Sequence, residues 1–141
     1  MKTLYLVRHA KSSWDELGLS DIERPLNERG KKDIPRIGKK LKEKRVFPNI
    51  MLSSPARRAD ETCKGIAKVL DFPAEKIVLD KRLYHADKNQ ILKIIQEVKD
   101  LNDDEGVVMI FGHNPGLTEF ANSLLGQAIN NIPTCGVGRK S

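Results

Sequence analysis

Short apolar runs alternate along this chain with longer segments in which apolar residues recur at helical spacing. The runs predict strands at 4–8, 50–53, 76–79 and 107–111. The segments between and after them predict helices at 27–45, 55–70, 89–101 and 115–125. Because strands and helices alternate, we expect an α/β layer fold with a mainly parallel central sheet.

The C-terminal end breaks this alternation. Residues 132–137 have the pattern of a strand that is beginning, but the chain then ends in the tail 138–141. This tail is more typical of a cut end than of a finished element. A length of 141 residues fits one compact domain with its own core. We therefore expect a single domain over residues 1–141, truncated in its C-terminal strand.

The composition is that of an ordinary globular protein, with 39% hydrophobic and 31% charged residues. No apolar run approaches the roughly 20 residues of a membrane helix, so a membrane partner is not expected. The first apolar stretch ends at Arg8, well short of the about 7–15 residues of an export signal. The two cysteines, Cys63 and Cys135, are too few for a disulfide scaffold. We expect a cytoplasmic protein.

The net charge of +6 comes from one segment. Residues 24–45 contain ten basic and three acidic residues, a net charge of +7, which leaves about −1 for the rest. The segment could be a docking face for an acidic partner or nucleic acid. It could instead be the solvated face of a helix whose apolar stripe is Ile34, Ile37 and Leu41. We favour the solvated face and expect no nucleic-acid partner, since no aromatic residue for base stacking is interleaved there.

Three junctions between a strand and the following helix carry unusual side chains. They are Arg8-His9, the segment 53–59 with two arginines, and the segment 112–116 with His113. In a parallel sheet, all three open at the same edge. This edge would gather two histidines and two or three arginines with no carboxylate cluster nearby. Such a pocket suits a multiply charged anion, because guanidinium groups and helix N-termini both bind phosphate oxygens.

The histidines add a possible nucleophile to this anion site. A neutral imidazole nitrogen can attack phosphorus and form a covalent intermediate. Phosphoryl transfer then needs mainly positioning and charge stabilisation, which arginines supply. A metal site on His9, His85 and His113 is less favoured, since no close pairing of histidines supports it. We expect neither a metal nor a cofactor.

Five motifs occur in one order along the chain: 6–12 (LVRHAKS), 24–30 (RPLNERG), 54–62 (SPARRADET), 83–86 (LYHA) and 112–115 (GHNP). In this order and spacing the chain resembles the histidine phosphatase superfamily, specifically its small phosphohistidine phosphatase branch. The resemblance covers residues 1 to about 137. It implies a phosphoglycerate mutase-like fold, a three-layer α/β sandwich around the parallel sheet.

The resemblance also implies roles for individual residues. His9 matches the nucleophile that becomes phosphohistidine, and Arg8, Arg58 and His113 match the residues that hold the phosphoryl group. Ser12 and Asn114 are expected near the phosphate. Consecutive helical positions differ by about 100°, so Arg57 and Arg58 cannot both face the pocket.

Two departures from the family pattern affect the chemistry. Ala10 replaces the usual glycine after the nucleophile, which is tolerable if its φ angle is negative. Larger members use a carboxylate as general acid, and no motif places one here. Asp15, Glu61 and Asp87 are candidates by residue type only. A phosphohistidine substrate would relax the need for an acid, because imidazole leaves more easily than an alkoxide.

Three hypotheses follow. The first is a metal-independent phosphatase that hydrolyses a phosphorylated substrate, foremost protein phosphohistidine, through a phospho-His9 intermediate. The second is a phosphatase or mutase-like phosphotransferase that acts on a small phosphate ester. The third is a non-catalytic phosphate-binding or docking module. The first is favoured, because a pure binder has no need of a nucleophile beside two arginines. The oligomeric state is not predicted.

Overall fold

The computed structural model describes residues 2–13, 18–101, 106–125 and 137–140. The strands in this part are β1 (Lys2–Arg8), β2 (Ile50–Ser53), β3 (Val78–Leu79), β4 (Gly106–Gly112) and β5 (Val137–Lys140). They form one sheet in the order β3-β2-β4-β1-β5. The first four strands are parallel, and β5 pairs antiparallel with β1 at the edge. This arrangement confirms the mainly parallel α/β sheet.

Helices cover both faces of the sheet. They are α1 (Glu28–Glu43), α2 (Arg57–Val69), α3 (Lys88–Leu101) and α4 (Gly116–Leu125). Val7, Met51 and Met109 belong to the core cluster that includes residues of α1 and α2. Leu6 and Ile110 belong to the cluster that includes residues of α3 and α4. The molecule therefore has the three layers that the sequence predicts, and β4 is a continuous apolar run because both of its faces are covered.

The contact between α1 and α2 depends on two glycines. A Cβ atom at Gly65 would lie 2.5 Å from Cγ2 of Ile34, and one at Gly38 would lie 2.9 Å from Cβ of Val69. Neither position has room for a methyl group unless the neighbouring side chain moves. The close approach of these helices fixes the position of α2 against α1, and the first turn of α2 carries Arg57 and Arg58.

The basic segment matches the solvated-face interpretation. Ile34 and Leu41 are buried and Ile37 is partly buried, whereas the lysines of α1 are exposed. Some of this charge is paired locally, as in the 2.7 Å ion pair between Arg36 and Asp33. One member of the segment differs: Arg24 precedes α1 and lies inside a pocket that is described below.

Several element boundaries differ from the prediction. Helix α2 begins at Arg57 with Ala56 as its N-cap, and not at Pro55. Strand β3 has only two residues, because 74–76 form a 3₁₀ turn where the sequence predicts the strand to begin. Residues 132–136, part of the predicted last strand, lie outside the described residues. Residues 138–140, which the sequence pattern assigns to the tail after the beginning strand, continue β5 and pair with β1.

Two further observations concern single features. Cys63 is fully buried in the core, as its position on the apolar stripe of α2 predicts, and Cys135 is not among the described residues. None of the described helices has the length and apolar character needed to cross a membrane.

Candidate active site

The carboxyl ends of β1, β2 and β4 open into one pocket of about 260 Å³. It is lined by Arg8, His9, Lys11, Ser12, Asp21, Arg24, Arg58, His85, His113 and Asn114. The pocket contains all six residues for which a site role is expected from the sequence, namely Arg8, His9, Ser12, Arg58, His113 and Asn114. Their convergence follows from the parallel strands, which place the three junctions at the same edge of the sheet.

The loop after β1 is held by the segment that leads into α1. The backbone N–H of Asn27 donates to the Lys11 carbonyl over 2.9 Å, and that of Ser13 donates to the Pro25 carbonyl over 2.8 Å. The Asn27 side chain caps α1 by accepting from the N–H of Gly30. A Cβ at Gly30 would lie 2.2 Å from the Lys11 carbonyl oxygen, so a larger residue would push the loop away. The 24–30 motif therefore acts as a support for the first junction.

The His9 ring is oriented by its own backbone. Its Nδ1 atom lies 2.7 Å from the Ala10 carbonyl oxygen. Because a carbonyl oxygen can only accept, Nδ1 carries the hydrogen in the neutral ring and Nε2 carries the lone pair. The hydrogen bond therefore selects the tautomer in which Nε2 can act as a nucleophile.

Thr62 of α2 fixes the peptide next to His9. The Ala10 N–H donates to Thr62 Oγ1 over 2.9 Å, and the Thr62 hydroxyl donates to the Arg58 carbonyl over 2.7 Å. Both Ala10 and Thr62 are fully buried. Ala10 is not among the residues with positive φ, so the methyl group in place of the family's glycine is accommodated.

Burial keeps both histidines neutral. It lowers the pKa of the His9 imidazole to about 4, with contributions from the charges of Arg58 and Arg8 and opposition from the hydrogen bond to Ala10. It also lowers the pKa of His113 to about 3, with the largest further contribution from His9. The two ring centroids lie 5.1 Å apart. At neutral pH the pocket thus offers an uncharged imidazole nitrogen beside fixed cations.

His113 and Asn114 are held at the start of α4. Nε2 of His113 lies 2.8 Å from Ser54 Oγ, within hydrogen-bonding distance. The Asn114 side-chain carbonyl accepts from the N–H and the hydroxyl of Thr118, over 3.2 and 2.8 Å. Asn114 therefore lines the pocket and also caps the helix that follows.

Arg58 faces the pocket and Arg57 does not. The Arg58 side chain is only 5% exposed, whereas that of Arg57 is 55% exposed and pairs with Glu61 over 2.7 Å. Of the two arginines, the structure places Arg58 in the pocket lining and Arg57 outside it. Glu61 points outward with Arg57, which removes it as a candidate acid in the pocket.

A single carboxylate, Asp21, lies inside the described pocket, and it is not among the residues predicted from the sequence. Asp21 accepts from Arg58 twice: Nη1 donates to its carbonyl over 2.6 Å and Nη2 donates to Oδ2 over 2.9 Å. The Tyr84 hydroxyl also donates to Oδ2. These donors, led by Tyr84, hold the pKa of Asp21 well below its usual range although burial opposes them. Asp21 is therefore an anion that orients Arg58, and it has no proton to give.

Arg24 is a second pocket residue beyond those predicted. Its Nε donates to Asp21 Oδ1 over 3.1 Å, and its Nη1 donates to Ser12 Oγ over 2.9 Å. From the sequence, Arg24 is counted among the basic residues of segment 24–45, most of which are exposed, and is therefore not assigned to the pocket. The signal that could have found it is its place at the head of the 24–30 motif, directly before the residues that support the loop after β1.

The remaining candidate acids and metal ligands lie elsewhere. Asp87 is exposed and accepts from the N–H of Gln90 over 2.8 Å in the first turn of α3, outside the pocket. Asp15 lies outside the described residues. Within the described ranges, no group of three or more histidine, cysteine, aspartate or glutamate side chains could hold a metal ion.

The charge of the pocket favours a phosphate dianion. Arg8, Lys11, Arg24 and Arg58 contribute four cations against the single carboxylate of Asp21, so the charges of these five residues sum to +3. Guanidinium groups bind phosphate oxygens with parallel donors. The N-terminus of α2, which begins beside Arg58, adds a favourable dipole.

Comparison with known proteins assigns the family. Residues 4–89 match the model of the histidine phosphatase superfamily (branch 1). The chain belongs to this superfamily. It is also 34% identical over 139 residues to an uncharacterised chloroplastic protein of Arabidopsis thaliana, a match that covers 95% of this chain and 63% of that protein. The chain thus spans less than two thirds of the length of this relative.

Two solved structures share the fold closely. One is SixA from Agrobacterium tumefaciens, designated a phosphohistidine phosphatase, with a TM-score of 0.87, 27% identity and coverage of 97% of this chain and 89% of that chain. The other is the protein histidine phosphatase SixA in complex with tungstate, with a TM-score of 0.86, 21% identity and coverage of 97% and 86%. These similarities confirm the phosphoglycerate mutase-like α/β architecture.

Proposed function

We propose that this protein is a phosphatase that works through a phosphohistidine intermediate on His9. The observation that carries the proposal is the His9 ring, whose Nδ1–H is held by the Ala10 carbonyl so that Nε2 presents a lone pair. This nitrogen belongs to a pocket in which the described charges sum to +3. Membership of the histidine phosphatase superfamily supports the same reaction class.

The reaction runs in two displacements. First, Nε2 of His9 attacks phosphorus and the bond between phosphorus and the leaving group breaks. Then water attacks the phosphorus of phospho-His9, the P–N bond breaks, and inorganic phosphate leaves. Arg8 and Arg58 neutralise the non-bridging oxygens in both steps, with His113 as a further contact. We propose that no metal or cofactor takes part.

The substrate we favour is phosphohistidine on a protein. Asp21 is the carboxylate of the described pocket, and its three charged or hydroxyl donors keep it ionised. Larger family members use a carboxylic acid against a leaving alkoxide, and the carboxylate of the described pocket is ionised, whereas imidazole is expelled more easily and depends less on an acid. The likeness to SixA, designated a phosphohistidine phosphatase, supports this choice. We place the reaction in the cytoplasm.

A labelled phosphoryl donor tests the intermediate. The wild-type protein should acquire an acid-labile, base-stable label that maps to His9, and His9→Ala should acquire none. His9→Ala should lose turnover entirely and still bind inorganic phosphate in calorimetry, because the arginines remain. Full activity in His9→Ala would exclude the mechanism.

A substrate panel separates the remaining alternatives. A phosphohistidine peptide should be hydrolysed faster, in kcat/KM, than sugar phosphates and glycolytic phosphates. The reverse order would favour a small-ester phosphatase or a mutase-like enzyme. Phosphate binding without label or turnover on any substrate would make the protein a phosphate-binding module.

A further inference from the structure

His85 lines the pocket, yet the two displacements described above give it no role. It is an exposed residue with a φ angle of 61°, in the left-handed region. Non-glycine residues adopt this region at a cost and cluster at functional sites when they do. Because the His85 side chain is exposed, packing against the core does not offset that cost.

The turn that carries His85 is held firmly from two sides. Arg82 bridges Asp80 and Glu97 of α3, each over 2.7 Å, which ties the turn to the helix. On the other side, a Cβ at Gly116 would lie 2.0 Å from the Ala86 carbonyl oxygen, so the turn packs directly on the start of α4. The backbone of His85 is therefore preorganised.

The ring of His85 is positioned by the phosphate-binding network. Its centroid lies 4.0 Å from that of Tyr84, and the Tyr84 hydroxyl donates to Asp21, the partner of Arg58. The imidazole thus packs, with an interplanar angle of 40°, against a side chain that is linked through Asp21 to the arginine of the pocket. It lies on the open side of the pocket, because His9 and His113 are buried whereas His85 is exposed.

The other groups of the described pocket are poorly suited to give a proton to a leaving group. Asp21 is ionised, and the Tyr84 proton is engaged in its hydrogen bond to Asp21. Burial lowers the pKa of both His9 and His113 far below neutrality. Imidazole is the side chain that gains and loses a proton most readily near neutral pH, and His85 is the third histidine of the described lining.

We propose that His85 is a catalytic residue that contacts the leaving group and donates a proton to it. The proposal rests on the phosphatase function proposed above. In the first step, Nε2 of His9 bonds to phosphorus, the bond to the leaving atom breaks, and the proton of the His85 imidazolium passes to that leaving group. In the second step, the neutral His85 takes a proton from the attacking water as the P–N bond of phospho-His9 breaks. Both residues then return to their starting states.

The test compares two aryl phosphates that differ in their need for a proton. Nitrophenolate leaves without one, whereas phenolate is much more basic and gains from protonation. His85→Asn removes the imidazole and keeps a residue type that tolerates left-handed φ. We expect its kcat/KM to fall about 100-fold on phenyl phosphate, as for loss of a general acid, and to stay within about threefold on p-nitrophenyl phosphate.

The parameter kcat/KM is the right one, because it contains formation of the phosphoenzyme and not its hydrolysis. An equal loss on both substrates, or no loss on either, would overturn the proposal. His85→Gly supplies a second variant that relieves the left-handed φ and should show the same substrate-dependent loss. If His85→Gly restored activity on phenyl phosphate, the imidazole would have no catalytic role.

The same measurements separate this proposal from the proposed function. In His85→Asn, p-nitrophenyl phosphate should still label His9. Label at His9 together with equal effects on both substrates would overturn the role of His85 alone. Absence of label in the wild-type protein would instead overturn the phosphohistidine mechanism itself.

Discussion

The two ends of the sheet each carry a cavity, and the smaller one contains the groups that we propose act on the phosphate. The pocket at the carboxyl ends of the strands has a volume of about 260 Å³ and contains four cations, three histidines and one carboxylate. The groove at the opposite end is larger, about 460 Å³, and is lined by Phe47, Pro48, Asn49, Leu70, Asp71, Phe72, Pro73 and Lys76. The candidate active site is therefore distinguished by its convergent charged groups and not by its size.

Helix direction explains part of this difference. Helix α2 begins at Arg57, beside the pocket, and ends at Val69, beside the groove. Its N-terminus brings Arg58 and the positive end of the helix dipole to the pocket. Its C-terminus brings Leu70 to the groove. One helix thus favours an anion at one end of the sheet and supplies apolar surface at the other.

Loss of Arg58 should have the largest effect in this comparison after loss of His9. Arg58→Ala removes a charge-assisted contact to phosphate worth about 1.5–3 kcal/mol, so kcat/KM should fall about tenfold to more than a hundredfold. It also leaves Asp21 in the pocket without its main cation, which would repel the phosphoryl group. Steady-state kinetics with a phosphohistidine peptide measures this loss.

Arg57→Ala is the matched control. It removes the same charge one residue away, but from an exposed pair with Glu61 that points away from the pocket. We expect kcat/KM to remain within twofold and stability to change by about 0.5 kcal/mol or less. Equal losses of kcat/KM in the two variants would mean that activity depends on the overall charge near the pocket and not on a contact between Arg58 and the phosphate.

The fold could be predicted from the sequence because its elements are set by local pattern. The continuous apolar run of β4 and the apolar stripes of α1 and α2 are properties of contiguous residues. Strand β3 was harder to predict, since its two residues are both exposed at the sheet edge and show no burial pattern. Strand β5 depends on pairing with β1, a long-range contact that its own four residues do not reveal.

The candidate site was predictable where a residue lies in one of the three junctions between a strand and the following helix. His9 and His113 follow directly from the strands before them. Asp21 and Arg24 lie between β1 and α1, and they reach the pocket only because the chain folds back over α2. The contact between Asp21 and Arg58 joins residues that are 37 positions apart in the sequence, a separation at which periodicity carries no information. The position of Asp21 in the pocket therefore depends on tertiary structure and could not be predicted from a motif.

A smaller loss of activity is expected from substitution of Thr62, which acts on the position of His9 and does not contact the substrate. Thr62 is a positioning residue, because it holds the Ala10 N–H, and the Ala10 carbonyl orients His9. Thr62→Val keeps the shape but leaves the buried Ala10 N–H without its partner, which costs about 1–3 kcal/mol of stability. We expect kcat to fall about tenfold as the His9 ring loses its orientation, with KM little changed because the arginines remain.

Thr62→Ser should keep both the stability and the kcat of the wild-type protein, since serine retains the hydroxyl that accepts from the Ala10 N–H. A KM increase at constant kcat in Thr62→Val would instead mean that the threonine acts on binding. Denaturant unfolding of both variants, beside their kinetics, separates a general loss of stability from the specific loss of His9 orientation.

The smallest effect should lie at the far end of the sheet. Phe47 is 51% exposed in the groove, so Phe47→Ser gives up only part of the burial energy of a phenylalanine, about 1 kcal/mol. Because the described phosphate-binding groups lie at the opposite edge, we expect kcat/KM to stay within twofold while the midpoint of thermal unfolding falls by about 3–4 °C. The measurement pairs thermal unfolding with steady-state kinetics on one preparation. A fall in kcat/KM greater than threefold at an unchanged midpoint would show that the groove is coupled to the pocket, and α2, which spans both ends, would be the element through which to trace that coupling.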